Sequence, residues 1–213
     1  MRITVFGAAG SVGSRVVAEA LSRGHEVTAV VRNPDRLADP PIGAAARVGD
    51  AADVEDVVRL STGQDLVITA TRPAPGSEDE LVTATKALLA GVASSGVRLL
   101  VVGGAATLTV PGTGGTLVVD GPDFPAAWRG IALACAEQLE VCRAESAANW
   151  AYLSPAALLE PGERTGTYRL GTDELLVGAD GTSRISMEDL AVALLDEAEH
   201  PRHHRTRFTV AQA

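Results

Sequence analysis

The stretch ITVFGAAGSVGSRVVAEAL, residues 3–21, decides the fold class of this chain. Its apolar start predicts a β-strand, and the segment that follows predicts a helix closed by Gly24. Between them, Gly7, Gly10 and Gly13 are spaced three residues apart. In a strand–turn–helix unit, the first glycine permits the sharp turn and the second lets a bound group approach the backbone. The third allows the helix to pack closely against the strand.

This turn and the start of its helix predict a binding site for the pyrophosphate of a dinucleotide. A helix N-terminus offers free N–H groups and a partial positive charge, and both suit an anion. The alternative is a glycine turn with packing duties only, because a glycine pattern alone is weak support. The residues expected to line the pyrophosphate are Gly7, Ala9, Gly10, Ser11, Val12 and Gly13.

The end of the second predicted strand, in the sequence AVVRNPDR, distinguishes between the two nicotinamide cofactors. A carboxylate there would bind the ribose hydroxyls of NAD, whereas an arginine suits the 2′-phosphate of NADP. Arg32 occupies this place, Asn33 follows it, and Arg36 lies one helical turn further on. The alternative is that Arg32 is a solvated surface residue. The sequence favours NADP(H) over NAD(H).

Strand-like and helix-like segments alternate along most of the chain. Predicted strands cover residues 25–32, 44–50, 64–71, 97–105, 149–155 and 205–211, and predicted helices cover 51–63, 77–96, 125–147 and 186–201. Repeated strand–helix units indicate a parallel sheet covered on both faces. The expected fold class is therefore α/β, a Rossmann-type doubly wound parallel sheet, in a single domain over residues 1–213. Residues 156–186 contain many turn signals and predict a small irregular C-terminal substrate lobe; Ser186, with Asp189 three residues on, predicts the next helix cap.

The loops after the other strands are expected to complete the cofactor site, because a ligand of an open parallel sheet lies beyond the carboxyl ends of its strands. Asp50 is expected to accept a hydrogen bond from the adenine amino group, or else to cap the helix that begins near Val54. Arg72 is placed to reach a phosphate or a substrate anion. These further cofactor residues are Asp50, Ala51, Ala70, Thr71, Arg72, Gly103, Gly104 and Pro155.

Composition and charge exclude several classes of protein. Of the 213 residues, 46% are hydrophobic, and the formal net charge is −9. This balance argues against nucleic acid as the main partner, since phosphate neutralisation needs a basic face. No apolar run reaches the ~20 residues that a membrane span needs, and no signal peptide is evident. We therefore expect a cytoplasmic protein without a membrane partner.

The cysteines and histidines are expected to have structural roles. Cys135 and Cys142 lie two turns apart in a helical pattern and are interpreted as reduced core residues. His200, His203 and His204 have no nearby carboxylate or cysteine at convincing spacing. We interpret these histidines as solvent-exposed turn residues and expect no metal site.

Several segments carry a resemblance to a known family, among them FGAAGSVGSRVV, VVRNPDRL, EPGERTGTYRLG and SRISMEDLAVALLDE. Nearly the whole chain resembles the atypical short-chain dehydrogenase/reductases. The branch is that of NAD(P)H-binding proteins and NADH-flavin reductases, near NmrA-like proteins and biliverdin reductase B. The glycine motif is shared across a large superfamily, whereas the two C-terminal segments are more specific to the branch.

The tyrosine–lysine pair of typical short-chain dehydrogenases is missing from this sequence. In that family a lysine four residues after the tyrosine lowers the tyrosine pKa, and the tyrosine exchanges a proton with the substrate oxygen. Here Tyr152 and Tyr168 are followed at that spacing by Ala156 and Thr172, and Lys86 is the single lysine. The resemblance implies a reaction that avoids this relay, in which hydride goes to a conjugated acceptor and the charge is delocalised.

Thr107 is the nearest hydroxyl after the fifth predicted strand, where the resemblance implies a serine. We take it as the candidate catalytic residue, although a threonine there also satisfies local backbone. The histidine of biliverdin reductase B after the sixth strand has no match, because Ala156 and Ala157 stand there. The sequence thus argues against biliverdin specificity.

These features favour an NADPH-dependent oxidoreductase that transfers hydride to a planar conjugated acceptor such as a flavin or quinone. The alternative is a non-catalytic NADP(H) redox sensor of NmrA-like type that acts through a protein partner. An epimerase or dehydratase is least favoured, because these enzymes usually need the missing tyrosine–lysine pair. The expected partner is a small planar acceptor, and the expected state is a monomer or weak homodimer.

Overall fold

The computed structural model describes residues 1–213. Its ten strands are β1 (Arg2–Phe6), β2 (Glu26–Val31), β3 (Ala45–Val48), β4 (Leu66–Thr69), β5 (Arg98–Val102), β6 (Trp150–Ser154), β7 (Leu158–Glu160), β8 (Tyr168–Gly171), β9 (Arg184–Ser186) and β10 (Thr206–Gln212). Its five α-helices are α1 (Ser11–Ser22), α2 (Val54–Ser61), α3 (Asp79–Ser95), α4 (Arg129–Ala144) and α5 (Met187–Glu199). The predicted helices and strands are all present, with shorter bounds at several ends.

Eight strands form one sheet in the order β3-β2-β1-β4-β5-β6-β10-β8. Every neighbouring pair is parallel except β10 and β8. The chain runs outward from β1 to β3 on one side and from β4 to β6 on the other. The strand order therefore reverses between β1 and β4, which is the switch point of a doubly wound sheet. The expected Rossmann-type α/β fold is confirmed.

The sheet is buried on both faces, which explains why its strands are apolar throughout. In β1, Ile3 and Val5 belong to the core beneath α1 and α5, whereas Phe6 belongs to the core beneath α2, α3 and α4. The same alternation holds in β4, where Ile68 faces the first core and Val67 the second. This packing fixes the carboxyl ends of β1 and β4 side by side.

The segment expected to form a separate lobe is divided between two sheets. Strands β7 and β9 form a small parallel sheet of their own, but β8 pairs antiparallel with β10 and extends the main sheet. The hydroxyl of Tyr168 in β8 donates to Asp196 of α5 at 2.6 Å, which ties this edge to the helix layer. Without β8, the outer edge of β10 would expose unpaired backbone groups. Strand β8 supplies their hydrogen-bond partners.

The ends of the helices agree with most of the capping expectations. The hydroxyl of Ser186 accepts from the backbone N–H of Asp189 at 2.9 Å, so the predicted cap of α5 is confirmed. The cap of α2 is Asp53, which accepts from the N–H groups of the first turn. Asp50 therefore does not cap α2. None of the helices is both long enough and apolar enough to cross a membrane.

The interpretation of His203 as an exposed turn residue was wrong. Its ring stacks on Phe208 with the ring centroids 4.3 Å apart, and its Nδ1 lies 2.8 Å from Glu197. Glu197 is buried and also accepts from Arg98 at 2.6 Å. A buried carboxylate needs such partners, and His203 supplies one of them. His200 and His204 are exposed, as expected.

Candidate active site

The glycine turn after β1 leaves no room for side chains at two of its three glycines. Gly7 has a φ of +78°, and a Cβ added there would lie 2.6 Å from the carbonyl oxygen of Ala70. A Cβ at Gly13 would lie 2.1 Å from the carbonyl oxygen of Gly7. Because both obstacles are backbone, neither glycine can be replaced without moving the chain. Gly7 thus holds the β1 turn against the end of β4, and Gly13 holds α1 against the turn.

Gly10 differs from the other two glycines. It has an ordinary φ of −80°, and the closest atom to an added Cβ would be the Gly7 carbonyl oxygen at 3.2 Å. The fold tolerates a side chain at Gly10 with a small adjustment. The absence of a side chain there leaves an open surface in front of α1, as a cradle for a phosphate requires.

The N-terminus of α1 has the electrostatics of an anion site. Its backbone N–H groups at Ser11, Val12 and Gly13 have no hydrogen-bond acceptor in the protein. No side chain caps the helix, and its first turn has no acidic residue. By contrast, α2, α3 and α5 each carry two acidic residues in the first turn. The donors of α1 are therefore free for a pyrophosphate, and the residues present fit this group.

Arg32 and Arg36 lie beyond the end of β2, on the side of the turn where the ribose of the adenosine would lie. Nη2 of Arg36 donates to the carbonyl oxygen of Ala9 in the turn at 3.0 Å. Nη1 of Arg32 donates to Glu80 in the first turn of α3 at 3.0 Å. Asn33 caps a short 3₁₀ helix by accepting from the N–H of Asp35. The two guanidinium groups thus flank the glycine turn on exposed side chains.

Asp50 and Ala51 follow β3 and lie at the outer end of the same edge. Oδ1 of Asp50 accepts from the N–H of Ala52 at 2.9 Å, which closes a local turn. Its own N–H donates to Asp56 of α2. Oδ2 of Asp50 has no partner in the protein, and Ala51 is buried beside it. A free carboxylate oxygen beside a small apolar residue is compatible with an adenine site.

The loops after β4 and β5 form the wall opposite the glycine turn. Ala70 makes the close approach to Gly7, and the hydroxyl of Thr71 lies 3.2 Å from that of Thr69. A Cβ added at Gly103 would lie 1.9 Å from Cζ of Tyr152, so the tyrosine ring occupies the space of a side chain there. The backbone of Gly103 and Gly104 is thereby packed directly on a ring from β6.

Tyr152 is a buried support of this wall and has no access to the site. It is 1% exposed. Its hydroxyl accepts from the N–H of Gly104 at 3.3 Å and faces two acceptors, the Cys135 carbonyl at 3.0 Å and Oε1 of Gln138 at 3.1 Å. Burial raises the pKa of Tyr152 well above its usual value. The hydroxyl is therefore neutral and fully engaged in structural hydrogen bonds.

The second tyrosine and the lysine lie away from this edge. The hydroxyl of Tyr168 is engaged by Asp196, and Lys86 is an exposed residue in the middle of α3. Neither side chain makes a hydrogen bond to Tyr152.

The hydroxyl of Thr107 contacts a buried arginine, Arg207, which also pairs with an exposed carboxylate. Nη1 of Arg207 donates to Oγ1 of Thr107 at 2.7 Å and to its carbonyl oxygen at 3.1 Å. The same guanidinium is paired with Asp173, at 2.9 Å from Nε. These contacts join the loop after β5 to β10 and to the loop after β8. Thr107 thus helps to hold the loop after β5 in place by accepting from Arg207. Its hydroxyl proton makes no hydrogen bond within the protein.

Pro155 and Arg72 complete the set of expected site residues. Pro155 directly follows β6 and is buried. Arg72 is exposed, and its Cζ lies 5.1 Å from the centroid of the Trp128 ring at the start of α4. Three residues that contact the expected set were not among the candidates: Glu80, Trp128 and the positioning residue Tyr152. The sequence signal for the role of Tyr152 is the pair Gly103–Gly104. Two glycines leave a space that an aromatic ring on the neighbouring strand can fill.

This geometry agrees with the comparison to known proteins. A family model described as NAD(P)H-binding matches residues 7–201. The chain belongs to this NAD(P)H-binding family. A nicotinamide dinucleotide is therefore its class of cofactor. The protein YwnB of Bacillus subtilis strain 168 is 39% identical over 212 residues, which cover 99% of this chain and 98% of YwnB.

Solved structures of similar proteins confirm the resemblance to the atypical short-chain dehydrogenase/reductases. A candidate epimerase from Bacteroides thetaiotaomicron is 38% identical, with a TM-score of 0.90 over 99% of this chain and 96% of that one. A candidate NADH-flavin reductase from Streptococcus pneumoniae TIGR4 is 32% identical, with a TM-score of 0.89 over 100% of both chains. Both structures superimpose on nearly the whole length of this chain.

Proposed function

We propose that this NAD(P)H-binding protein is an NADPH-dependent reductase of a planar conjugated acceptor, such as a flavin or a quinone. The observation that carries the proposal is the position of Tyr152. The site has the backbone cradle of a dinucleotide enzyme, but the tyrosine beside it is buried, neutral and engaged by Gly104, Cys135 and Gln138. A reaction in this site has to proceed without a tyrosine–lysine relay.

The chemistry that needs least from the protein is hydride transfer to a delocalised acceptor. Bound NADPH supplies the hydride, and the acceptor spreads the added charge over its ring system. The protein then binds, orients and shields, rather than exchanging protons. The N–H groups of α1 would hold the pyrophosphate, and the Gly103–Gly104 backbone, packed on Tyr152, would form a rigid wall at the nicotinamide end.

The preference for NADPH is supported by the two arginines beside the glycine turn. Arg36 is anchored to the turn itself through Ala9, so a phosphate on the adenosine ribose would meet a guanidinium that is already placed. Arg32 is paired only with Glu80, and both side chains are about half exposed or more, at 68% and 49%. Such surface pairs contribute about 0–1 kcal/mol. A dianionic phosphate can therefore displace Glu80.

The comparisons support a reductase without distinguishing its acceptor. The similar structure from Streptococcus pneumoniae is a candidate NADH-flavin reductase, and the one from Bacteroides thetaiotaomicron is a candidate epimerase. An epimerase of the short-chain dehydrogenase type uses the proton relay that Tyr152 cannot provide here. We further propose a cytoplasmic location, because a chain with only two cysteines has no disulfide framework of the kind common in secreted domains.

The test is the oxidation of NADPH and of NADH by the purified protein, followed by nicotinamide absorbance with and without FMN, a quinone and an enone. We expect acceptor-dependent oxidation that is faster with NADPH than with NADH at equal concentration. The matched control is Gly10→Val, which fills the phosphate cradle and should abolish turnover with every acceptor. Oxidation that persists although the variant no longer binds NADPH in calorimetry would come from a contaminating enzyme. Oxidation that persists with NADPH still bound would discard the phosphate cradle at Gly10.

Two outcomes would contradict the proposal. Faster turnover with NADH would remove the role of Arg32 and Arg36 in selecting the cofactor. Tight NADPH binding in calorimetry without turnover of any acceptor would instead favour the NADP(H) sensor. The next experiment would then be a search for a protein that binds only one redox form of the complex.

A further inference from the structure

An exposed aromatic side chain and an arginine lie together at the carboxyl edge of the sheet. Trp128 is 52% exposed, whereas the other tryptophan, Trp150, is buried in the core. The Arg72 guanidinium lies 5.1 Å from the centroid of the Trp128 ring, within the range of a cation–π contact. One face of the indole is therefore covered by a cation, and about half of the side chain is open to solvent.

The charge of Arg72 has no partner among the acidic residues of the protein. No carboxylate lies within ion-pair distance of its guanidinium, and none of its N–H groups has an acceptor. Arg32 and Arg36 of the same edge are each paired with a carboxylate. The carboxylate of Glu78, close to the start of α4, accepts instead from the N–H of Gly76. The five donors of the Arg72 guanidinium are free in a chain of net charge −9.

Arg72 and Trp128 lie next to the nicotinamide end of the site. A Cβ added at Gly104 would lie 3.0 Å from Sγ of Cys135, so the loop after β5 rests on this residue of α4. Burial raises the pKa of the Cys135 thiol to about 11, and the nearby charge of Arg72 acts in the opposite direction. Thr69 at the end of β4 pairs with Val101 of β5, so Arg72 and Gly104, each three residues further on, leave neighbouring strands side by side. A ligand that contacts Arg72 and Trp128 would lie beside the Gly103–Gly104 wall.

We propose that Arg72 and Trp128 form the acceptor subsite, and that the acceptor is a planar ring system with an anionic group. The ring stacks on the exposed indole of Trp128, and the guanidinium of Arg72 binds a phosphate or carboxylate through its planar donor fork. This inference rests on the proposed reductase function for the identity of the site, but it concerns binding and not turnover. It predicts that a phosphorylated flavin is preferred over the uncharged flavin.

Calorimetric titration of FMN and riboflavin into the protein with saturating NADP⁺ tests the anionic group directly, because the two flavins differ only in the phosphate. We expect FMN to bind about tenfold more tightly than riboflavin, or better. Arg72→Gln should remove this difference and leave riboflavin unchanged. Trp128→Leu should weaken both flavins by the same factor. Inorganic phosphate alone should compete only weakly, since it lacks the ring.

The matched control is Arg202→Gln. Arg202 is an exposed arginine whose side chain is likewise without a hydrogen-bond or ion-pair partner, and it precedes β10 at the opposite edge of the sheet. This variant should retain the preference for FMN. Equal affinity of the wild type for the two flavins would overturn the subsite. So would a loss of NADPH affinity in Arg72→Gln with the FMN preference intact, because Arg72 would then belong to the cofactor.

The failure of the reductase proposal is distinguishable from the failure of this subsite. If FMN binds with a preference that depends on Arg72 but is never reduced, the subsite stands and the reductase does not. If FMN is reduced and Arg72→Gln changes neither its binding nor its KM, the reductase stands and the subsite is wrong.

Discussion

The phosphate end of the site is made of backbone, whereas the acceptor end is made of side chains and of a glycine wall supported by a ring. At the phosphate end, any side chain added at Gly7 or Gly13 would collide with backbone atoms. At the acceptor end, Gly103 and Gly104 are held by Tyr152, and Arg72 and Trp128 are exposed. Cofactor binding is thus built into the fold, while the choice of the proposed acceptor would depend on a few replaceable residues.

The largest effect is expected from Gly10→Val at the phosphate end. The fold tolerates this side chain with a small adjustment, but the side chain occupies the cradle in front of α1. We expect NADPH affinity to fall by more than about 100-fold, with the melting temperature nearly unchanged. Calorimetry and thermal unfolding would measure the two quantities.

The matched control for this variant is Gly121→Val. A Cβ at Gly121 would also lie 3.2 Å from a carbonyl oxygen, that of Val118, but far along the chain from the glycine turn. It should leave NADPH affinity unchanged. Unchanged NADPH affinity in Gly10→Val would discard the pyrophosphate assignment.

The next largest effect is expected from Arg32→Asp. The change replaces a cation with an anion at the expected position of the 2′-phosphate. We expect NADPH affinity to fall about 10- to 100-fold, as the loss of a charge-assisted hydrogen bond implies, and NADH affinity to change little. Equal losses for the two cofactors in calorimetry would remove Arg32 from the phosphate site. Arg143→Asp, at another exposed arginine–glutamate pair, is the control.

A moderate effect is expected from Tyr152→Phe at the acceptor end. The change leaves Gln138 and the Cys135 carbonyl without their shared donor, so the free energy of unfolding should fall by about 1–3 kcal/mol. We expect kcat to fall by less than about tenfold, because loss of a proton relay typically costs about 10²–10⁴-fold. A loss in that larger range would show that Tyr152 is catalytic and contradict the account.

The pH dependence of kcat and of stability also reports on Tyr152. Because burial raises the pKa of Tyr152, its hydroxyl stays protonated below about pH 10, the ordinary tyrosine pKa. The wild-type kcat should therefore show no step from this tyrosine at lower pH. The stability supplied by its neutral form should be lost only as the pH rises above that value.

The smallest effect is expected from Glu80→Gln, which removes the partner of Arg32 without touching the cradle. Because an exposed ion pair contributes about 0.2–1 kcal/mol, NADPH should bind about two- to fivefold more tightly and NADH should not. Tighter binding of both cofactors would mean that Glu80 acts on the cofactor as a whole, through general repulsion.

The local patterns of the sequence were sufficient to predict the sheet and the glycine turn. The spacing of Gly7 and Gly13 reflects backbone contacts within one strand–turn–helix unit, and such contacts are encoded locally. The pairing of β8 with β10 was not predicted, since four residues do not specify which edge they join. His203 was misread because its partners, Glu197 and Phe208, are brought together only by tertiary packing.

The candidate site likewise contains features that local sequence patterns predict and features that depend on tertiary packing. The arginines after β2 were predicted from their place in the motif, and the structure places Arg36 against the glycine turn. The pairing of Glu80 with Arg32 was not predicted, because it depends on how the start of α3 lies relative to the end of β2. The arginine contact at Thr107 joins residues 100 positions apart, Thr107 and Arg207, and no local pattern indicates such a pair.

We propose that hydride passes from NADPH to a planar acceptor without a proton relay from the protein. The most direct test of this proposal is a single-turnover measurement of FMN reduction under anaerobic conditions, with NADPH deuterated at the transferred position and with solvent deuterium. We expect a slower reduction with deuterated NADPH, a solvent isotope effect close to unity, and the same pattern in Tyr152→Phe. A large solvent effect that disappears in Tyr152→Phe would contradict the proposal.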